Sequence, residues 1–397
     1  MMEYRLDELF DLQMGKTPSR NNPEYWNSKD HKWISISDLS KCGKYILDTK
    51  EYLSDKAVQE SGISCIPANT VIMSFKLSIG KTAITKEPIY SNEAIMSFRD
   101  KHFVELLPDY IFYMFTGKDW EAGTNKAVMG KTLNKATLSA IKVSIHPISE
   151  QRKIVAVLDK ANSIIEDRQR ELTRLDELIK ARFVEMFGDL ADPACKWEKC
   201  KLVDVCVNSD DIKCGPFGTQ LGKNEYTEEG VAVWEIPQIN SEFRTLPTHF
   251  VTEKKAEELD AYSIIPGDIA MSRKGNVGRC AVFPSSFENG IIHSDVLRIR
   301  LNEMKALPEF MMRQLRYSGD IQHQIELVSS GAIMAGINVT KLKQILIYLP
   351  PMNLQSEFVK FVAQVDKSKF VDRNASCILA QSAKAPFCTL HIISPFI

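Results

Sequence analysis

Val71-Ile-Met-Ser-Phe-Lys-Leu-Ser-Ile-Gly-Lys-Thr-Ala-Ile84 returns about 200 residues later as Ile269-Ala-Met-Ser-Arg-Lys-Gly-Asn-Val-Gly-Arg-Cys-Ala-Val282. Met73, Ser74, Lys76, Gly80 and Ala83 recur as Met271, Ser272, Lys274, Gly278 and Ala281, and Lys81 keeps its charge as Arg279. Each stretch reads as a strand, a glycine-containing turn and a second strand. Outward from it the correspondence continues. Leu107-Pro108, followed by an acid and an aromatic, returns as Leu307-Pro308 followed by the same pair of types. Asn134, Leu138, Ile141, Val143, Pro147 and Gln151 line up with Asn338, Leu342, Ile345, Ile347, Pro351 and Gln355. A period this long marks a duplicated domain rather than a solenoid, whose units run to roughly 20–50 residues. Because the copies differ in sequence, they can read two different things at once.

The chain has 397 residues, room for two or three domains with real cores. No apolar run approaches the length that spans a bilayer. Glu3, Arg5, Asp7 and Glu8 do not make a secretory signal. Nine cysteines, an odd number without a paired framework, place the chain in a reducing cytosol. A net charge of −1 favours no partner, but its distribution is uneven. Residues 61–86 contain no acid and hold Lys76, Lys81 and Lys86; residues 122–149 are again acid-free, with Lys126, Lys131, Lys135 and Lys142. In the second copy, 269–287 carries Arg273, Lys274 and Arg279, and 327–356 carries Lys341 and Lys343, both without an acid. A phosphate-facing surface has this property; so do buried strands that happen to lack acids. The second copy as a whole is slightly negative, with 18 basic against 21 acidic residues over 191–352, which weighs against simple electrostatic attraction there.

Residues 1–149 form the first copy, with β-rich runs at Trp33–Ser37, Val71–Phe75, Lys81–Thr85 and Lys142–His146 and a short helix near Asp109–Thr116. Without steady βαβ alternation the class is α+β. The period then changes. From Ser149, the expected capping residue, to Phe187 there is neither glycine nor proline, and Gly188 follows as a stop. Leu158, Ala161, Ile165, Leu172, Leu175, Ile179 and Met186 recur at steps of three and four, interrupted by Arg168 and Arg182. The pattern predicts a helix of about 36 residues, roughly 54 Å long, that seeks a partner helix. Residues 191–352 form the second copy. The repeat places the partner helix at 353–370, with Phe358, Phe361, Val362 and Val365, and predicts that it is cut short there, leaving 371–397 as an atypical tail.

Catalytic signals fail one by one. Gly-Lys-Thr occurs at 15–17, 80–82 and 130–132, but Phe10, Phe75 and Asn125 stand where a phosphate loop needs its earlier glycine. Cys195, Cys200, Cys206 and Cys214 contain no Cys-x-x-Cys pair and have no nearby histidine, which argues against zinc. The expectation is a binding protein without catalytic centre, metal or cofactor. Ser74, Lys76 and Lys81, with Ser272, Arg273, Lys274 and Arg279, place short polar side chains beside basic ones on a strand–turn–strand. That combination suits backbone approach to phosphate with side chains left for base edges; an ordinary solvated hairpin fits it equally.

At this point the chain resembles the specificity subunits of type I restriction–modification systems, over roughly residues 3–370. The residues that carry the resemblance are Gly15-Lys-Thr-Pro-Ser19, Tyr25-Trp26, Trp33-Ile34 and Asp38-Leu39 in the first copy, and Gly215-Pro-Phe-Gly-Thr219, Tyr226, Gly230 and Val233 in the second. Both copies also carry the turn Ile-Pro-Ala/Gly-Asn/Asp before the strand at 71 or 269, and the proline–glutamine step Pro147…Gln151 or Pro351…Gln355. The resemblance implies two target-recognition domains (1–149 and 191–352) joined by long antiparallel coiled-coil helices (150–190 and the shortened 353–370) in a pseudo-two-fold arrangement. It implies a non-catalytic cytoplasmic subunit that reads a split, asymmetric double-stranded DNA target. Its partners would be methyltransferase subunits, two of them, and restriction/translocase subunits, with no membrane. The DNA-facing candidates are Ser74, Lys76, Lys81, Lys126, Lys131, Asn134 and Lys135 in the first domain. Ser272, Arg273, Lys274, Arg279, Asn338, Lys341 and Lys343 are those of the second. The shortened second helix leaves open a silenced or truncated specificity allele as an alternative, and two rivals from other classes stand beside this reading. A self-contained methyltransferase or nuclease needs motifs that are missing. A coiled-coil adaptor without a DNA role explains the helix but not the repeated acid-free strands.

Overall fold

A positive φ fixes the hairpin in each copy. Gly80 sits at φ +87° and Gly278 at +80°, a region costly for residues with a β-carbon. A β-carbon would also come within 2.9 Å of Trp120 at the first glycine and within 2.9 Å of Ile325 at the second. Each glycine amide donates to the carbonyl of the strand-ending serine, Gly80 to Ser74 at 2.9 Å and Gly278 to Ser272 at 3.1 Å. The computed structural model describes residues 1–76, 78–120, 133–190, 192, 195–329 and 336–383, with side chains described through Lys369 in the last helix. Two compact units result, the first built on Met1–Arg170 and the second on Glu171–Asp372.

The first unit contains β1 (Met2–Arg5), β2 (Phe10–Met14), β3 (His31–Ile34), β4 (Tyr45–Ile46), β5 (Glu51–Leu53), β6 (Val71–Ser74), β7 (Thr82–Thr85), β8 (Tyr90–Ser91), β9 (Ile95–Asp100) and β10 (Lys142–Ile145). Its main sheet runs β2-β9-β6-β7-β4, a second runs β5-β3-β8, and β1 pairs with β10. The second unit contains β11 (Glu198–Lys201), β12 (Ile212–Cys214), β13 (Val231–Trp234), β14 (His249–Val251), β15 (Ser263–Ile264), β16 (Ile269–Ser272), β17 (Cys280–Val282), β18 (Gly290–Ile292), β19 (Val296–Ile299) and β20 (Leu346–Leu349). Its sheets run β12-β19-β16-β17, β14-β13-β18-β15 and β11-β20. The shared order is plain: β2-β9-β6-β7 repeats as β12-β19-β16-β17, and the parallel pair β3/β8 repeats as β13/β18. Register repeats too, with Met73 opposite Met96 and Met271 opposite Leu297. Mostly antiparallel pairing with separate helices makes each unit α+β.

Strands β6 and β16 are buried on both faces, which is why they read as continuous apolar runs. Val71 and Met73 join Tyr110 and Phe115 in one core cluster, while Ile72 faces Ile34 and Ile46 in another. In the second unit Ile269 and Met271 face Phe310, and Ala270 faces Trp234.

The long helix spans Ile148–Phe187, 40 residues, roughly 60 Å at 1.5 Å per residue. It starts one residue ahead of the expected cap Ser149: the Pro147 carbonyl accepts from Gln151 N at 3.0 Å and already closes the first turn. It stops at Gly188, φ +78°. Of the expected stripe, Leu158, Ala161, Leu172 and Ile179 are buried, whereas Ile165, Leu175 and Met186 are only partly so. Met186 packs at the edge of a core cluster whose buried members include Phe183 and Phe187. Phe183 lies 5.4 Å from Phe358 and Phe187 5.0 Å from Phe310, centroid to centroid. Each buried aromatic of this kind contributes about 1.5–3 kcal/mol. Arg182 pairs with Glu357 at 2.9 Å and Asp176 with Lys369 at 2.6 Å; numbers that run in opposite directions make the two helices antiparallel in this unit.

The second long helix spans Met352–Ala383, 32 residues. The sequence reading ended it at Phe370; the backbone continues past that point. Residues 371–383 carry no glycine or proline, and Pro386 is the first breaker. Losing the heptad removes the reason to pair, not the reason to be helical.

Candidate nucleic-acid interface

The acid-free segments meet within each unit. Phe75 N donates to Ala94 O at 3.0 Å, and Phe75 O accepts from Leu133 N at 3.1 Å. At the matching place Arg273 N donates to Asp295 O at 2.8 Å, and Arg273 O accepts from Ile337 N at 3.1 Å. The hairpin therefore lies against the segment before β10 in one unit and before β20 in the other. Segments far apart in sequence form one surface twice.

The candidates on that surface divide into two kinds. Ser74 and Ser272 are fully buried. The Ser74 hydroxyl donates to the Ser78 carbonyl and accepts from Lys81 N at 3.0 Å, so it builds the turn. Asn134 accepts from Thr137 N at 2.8 Å, and Asn338 from Lys341 N at 3.0 Å. Both asparagines cap the short helices Lys135–Ala140 and Val339–Leu342. The Ser74 hydroxyl and both asparagine side chains are thus engaged in local structure, while the asparagines stay exposed at the starts of their helices. Lys126 and Lys131 lie outside the described residues.

The cations differ between the copies. In the first, Lys81 and Lys135 are exposed and Lys76 is half-buried beside the Phe75 ring, 5.3 Å from its centroid. In the second, Lys274 pairs with Asp295 at 2.7 Å and Lys343 with Asp210 at 3.5 Å. Arg279 donates to the Asn240 carbonyl at 2.9 Å. Arg273 donates through Nε to the Ile337 carbonyl at 3.3 Å, and its guanidinium carbon sits 5.3 Å from the Phe217 ring centroid. Lys341 is exposed.

Two features escaped the sequence reading. The first is how Gly15 and Gly215 seat the loops that follow β2 and β12. Gly15 N donates to Ile95 O and Gly215 N to Val296 O, each at 3.1 Å. A β-carbon would collide with the Ser91 and Asn92 carbonyls at Gly15 and with those of Ile292 and His293 at Gly215. The second is Phe217, 54% exposed on the loop beside Arg273. An aromatic between two glycines in a loop was the available signal. On the first loop Arg20 stacks over Trp26 at 3.8 Å and pairs with Glu51.

The family model for the type I restriction modification DNA specificity domain matches residues 1–174 and again 195–372, once for each copy. The chain belongs to this family. The family's curated members include the MjaIX specificity subunit of Methanocaldococcus jannaschii, 26% identical over 189 residues, which are 47% of this chain and 43% of that one. They also include the EcoR124I/EcoR124II specificity subunit of Escherichia coli, 29% identical over 179 residues, 42% of this chain and 43% of that one. Each match thus spans under half of the relative. Over longer stretches the specificity-domain fold is shared at low identity. A chain solved in work on complex assembly and conformational transition of the type I R-M system covers 97% of this chain and 96% of its own, at TM-score 0.56 and 17% identity. The S subunit from M. genitalium covers 97% and 94%, at TM-score 0.53 and 13% identity.

Proposed function

We propose that this chain is the DNA-reading subunit of a type I restriction–modification complex, its two domains each reading one part of a split, asymmetric target. The observation that carries this is the duplicated surface: the same hairpin and the same partner segment, twice, with different cations on each. Identical domains would read a symmetric site; these read two unlike half-sites. Lys76, Lys81 and Lys135 in the first domain, and Arg273, Lys274, Arg279, Lys341 and Lys343 in the second, are the DNA-facing residues on this reading. Domain limits at about 1–149 and 191–352 follow from the repeat. The long helices set the spacing and dock the methyltransferase subunits, which modify adenine; restriction subunits join the assembly. The chain itself binds and does not catalyse, needs no cofactor, and works in the cytoplasm. No helix among the described residues is long and apolar enough to cross a membrane.

The test is selection of duplexes from a random pool by this chain purified with its methyltransferase subunit. Enrichment of a two-part motif, with affinity falling steeply between 50 and 200 mM salt, is expected. Weak, salt-insensitive binding without enrichment would favour the adaptor reading.

A further inference from the structure

The geometry points to Arg273 as the residue through which the second domain reads a G·C base pair, with the exposed Phe217 ring as its platform. This rests on the DNA-reading function proposed above and adds to it one base pair and one residue.

The fold does not ask for an arginine here. The equivalent position in the first domain is Phe75, 1% exposed and part of the core, and the hairpin around it is built from the same hydrogen bonds. In the second domain the exchange brings a planar cation to the surface, and the fold holds it there. Its backbone is fastened on both sides, to Asp295 O and to Ile337 N. Its Nε donates to the Ile337 carbonyl at 3.3 Å. Its guanidinium carbon lies 5.3 Å from the Phe217 ring. Cys214 forms a further wall: burial raises its thiol pKa, and the Arg273 charge opposes that rise.

A guanidinium presents donors in a rigid fork. With Nε bonded to the backbone and the Cys214 thiol against the guanidinium, the two terminal amino groups form the pair that matches guanine O6 and N7 in the major groove. Lysine reaches the same acceptors without the rigid planar fork, and the neighbouring Lys274 is already engaged by Asp295 at 2.7 Å. The platform is equally specific to this domain. Counting from the matched glycines, Phe217 corresponds to Thr17, whose hydroxyl is tied to Glu93. The ring is 54% exposed beside a pinned arginine and belongs to none of the buried core clusters of the second unit. Against the neighbouring base step it supplies apolar contact, such as to a thymine methyl. A phosphate contact would need only charge, and the second domain puts little free charge here.

The experiment uses the chain in complex with its methyltransferase subunit. The target is first defined with the unaltered complex. Affinities are then measured for that duplex and for single-base-pair variants across the half-site of the second domain. One G·C pair is expected to be preferred by roughly 5- to 150-fold. In Arg273→Gln that preference collapses at this pair alone, and Arg273→Lys, which keeps the charge, does not restore it. Phe217→Ala, a surface change that leaves thermal unfolding in place, reduces discrimination at the same pair or its neighbour. Equal weakening of every duplex by Arg273→Gln, with a flatter salt dependence, would make Arg273 a phosphate contact and overturn the assignment while the function stands. A half-site with no G·C preference overturns it as well. If the unaltered complex selects no duplex at all, the DNA-reading function itself fails, and the assignment with it.

Discussion

Gln151 and Gln355 offer the sharpest test of how the two domains are fastened to their helices. Both are buried, at 0% and 1% exposure. Gln355 Oε1 accepts from Leu307 N at 3.0 Å, and its Nε2 donates to Pro350 O at 2.9 Å and Lys305 O at 3.4 Å. Gln151 repeats this with Leu107 N at 3.0 Å, His146 O at 2.9 Å and Glu105 O at 2.9 Å. One side chain thus ties the first turn of the helix to the loop before the helix Pro108–Thr116 or Pro308–Tyr317. Exchange for methionine keeps the volume and removes every bond. Each buried group left unpaired costs about 1–3 kcal/mol. Gln355→Met orphans two groups firmly and a third weakly, about 2–6 kcal/mol before relaxation. Gln151→Met orphans three firmly and is expected to cost at least as much. Hydrogen exchange reads this locally. A loss of about 3 kcal/mol speeds exchange of the Leu107 or Leu307 amide by roughly 100-fold, while amides of the other unit are unaffected. A change under about threefold at either amide would refute the reasoning, because the glutamine would then be a passenger in its pocket.

The phosphate contribution is expected to be uneven. Changing Lys76, Lys81 and Lys135 to alanine together lowers the salt slope of DNA binding by about 2.7, at roughly 0.9 per phosphate contact, whereas Lys274→Ala alone does less per residue because Asp295 already holds that cation; equal effects per residue would contradict this. Gly80→Ala and Gly278→Ala each meet a positive φ and a side chain at 2.9 Å, so each lowers stability by at least about 1–2 kcal/mol in denaturant unfolding. Burial alone would raise the Glu242 pKa, but the hydrogen bond and charge of Arg316, 2.8 Å away, more than reverse this and hold it at about 2. A depressed carboxylate stabilises the fold above its unfolded pKa, about 4.5, and that contribution is lost as pH falls toward 2. Its size is at most about 3 kcal/mol, less for screening of the exposed part. Unfolding of Glu242→Gln against the unaltered chain should therefore differ most at pH 6, differ by about half as much at pH 3, and converge only below about pH 2.

The duplication was legible because both copies keep the same local demands. Gly80 and Gly278 need positive φ, Met73 and Met271 fill core, and Gln151 and Gln355 make the same three-way bond. The same logic leaves two uses open at Ser74, Asn134 and Asn338, whose side chains bond locally to a turn or a helix cap. A repeated short polar residue is what a turn or helix cap requires, and also what a base contact requires; sequence alone does not separate these uses. Pairing of β1 with β10, and of β11 with β20, joins residues about 140 or more apart, and no local pattern announces it. The helix Gly319–Leu327 of the second unit places Ile325 where the first unit places Trp120. That substitution of one packing partner by another has no sequence signature. Phe183 and Phe187 were passed over because a strict heptad counts positions rather than which ring reaches the partner helix.

The most direct test of the central claim is a methylome. The chain is expressed with its neighbouring methyltransferase subunit in a methylation-free host, and modified adenines are mapped by long-read sequencing. The account predicts one split, asymmetric motif, whose first or second half changes when the first or second domain is exchanged for that of another family member. A continuous motif, or a domain exchange that alters both halves together, would contradict the division of reading between the two copies. No modified motif at all, with the complex assembled, would contradict the function itself.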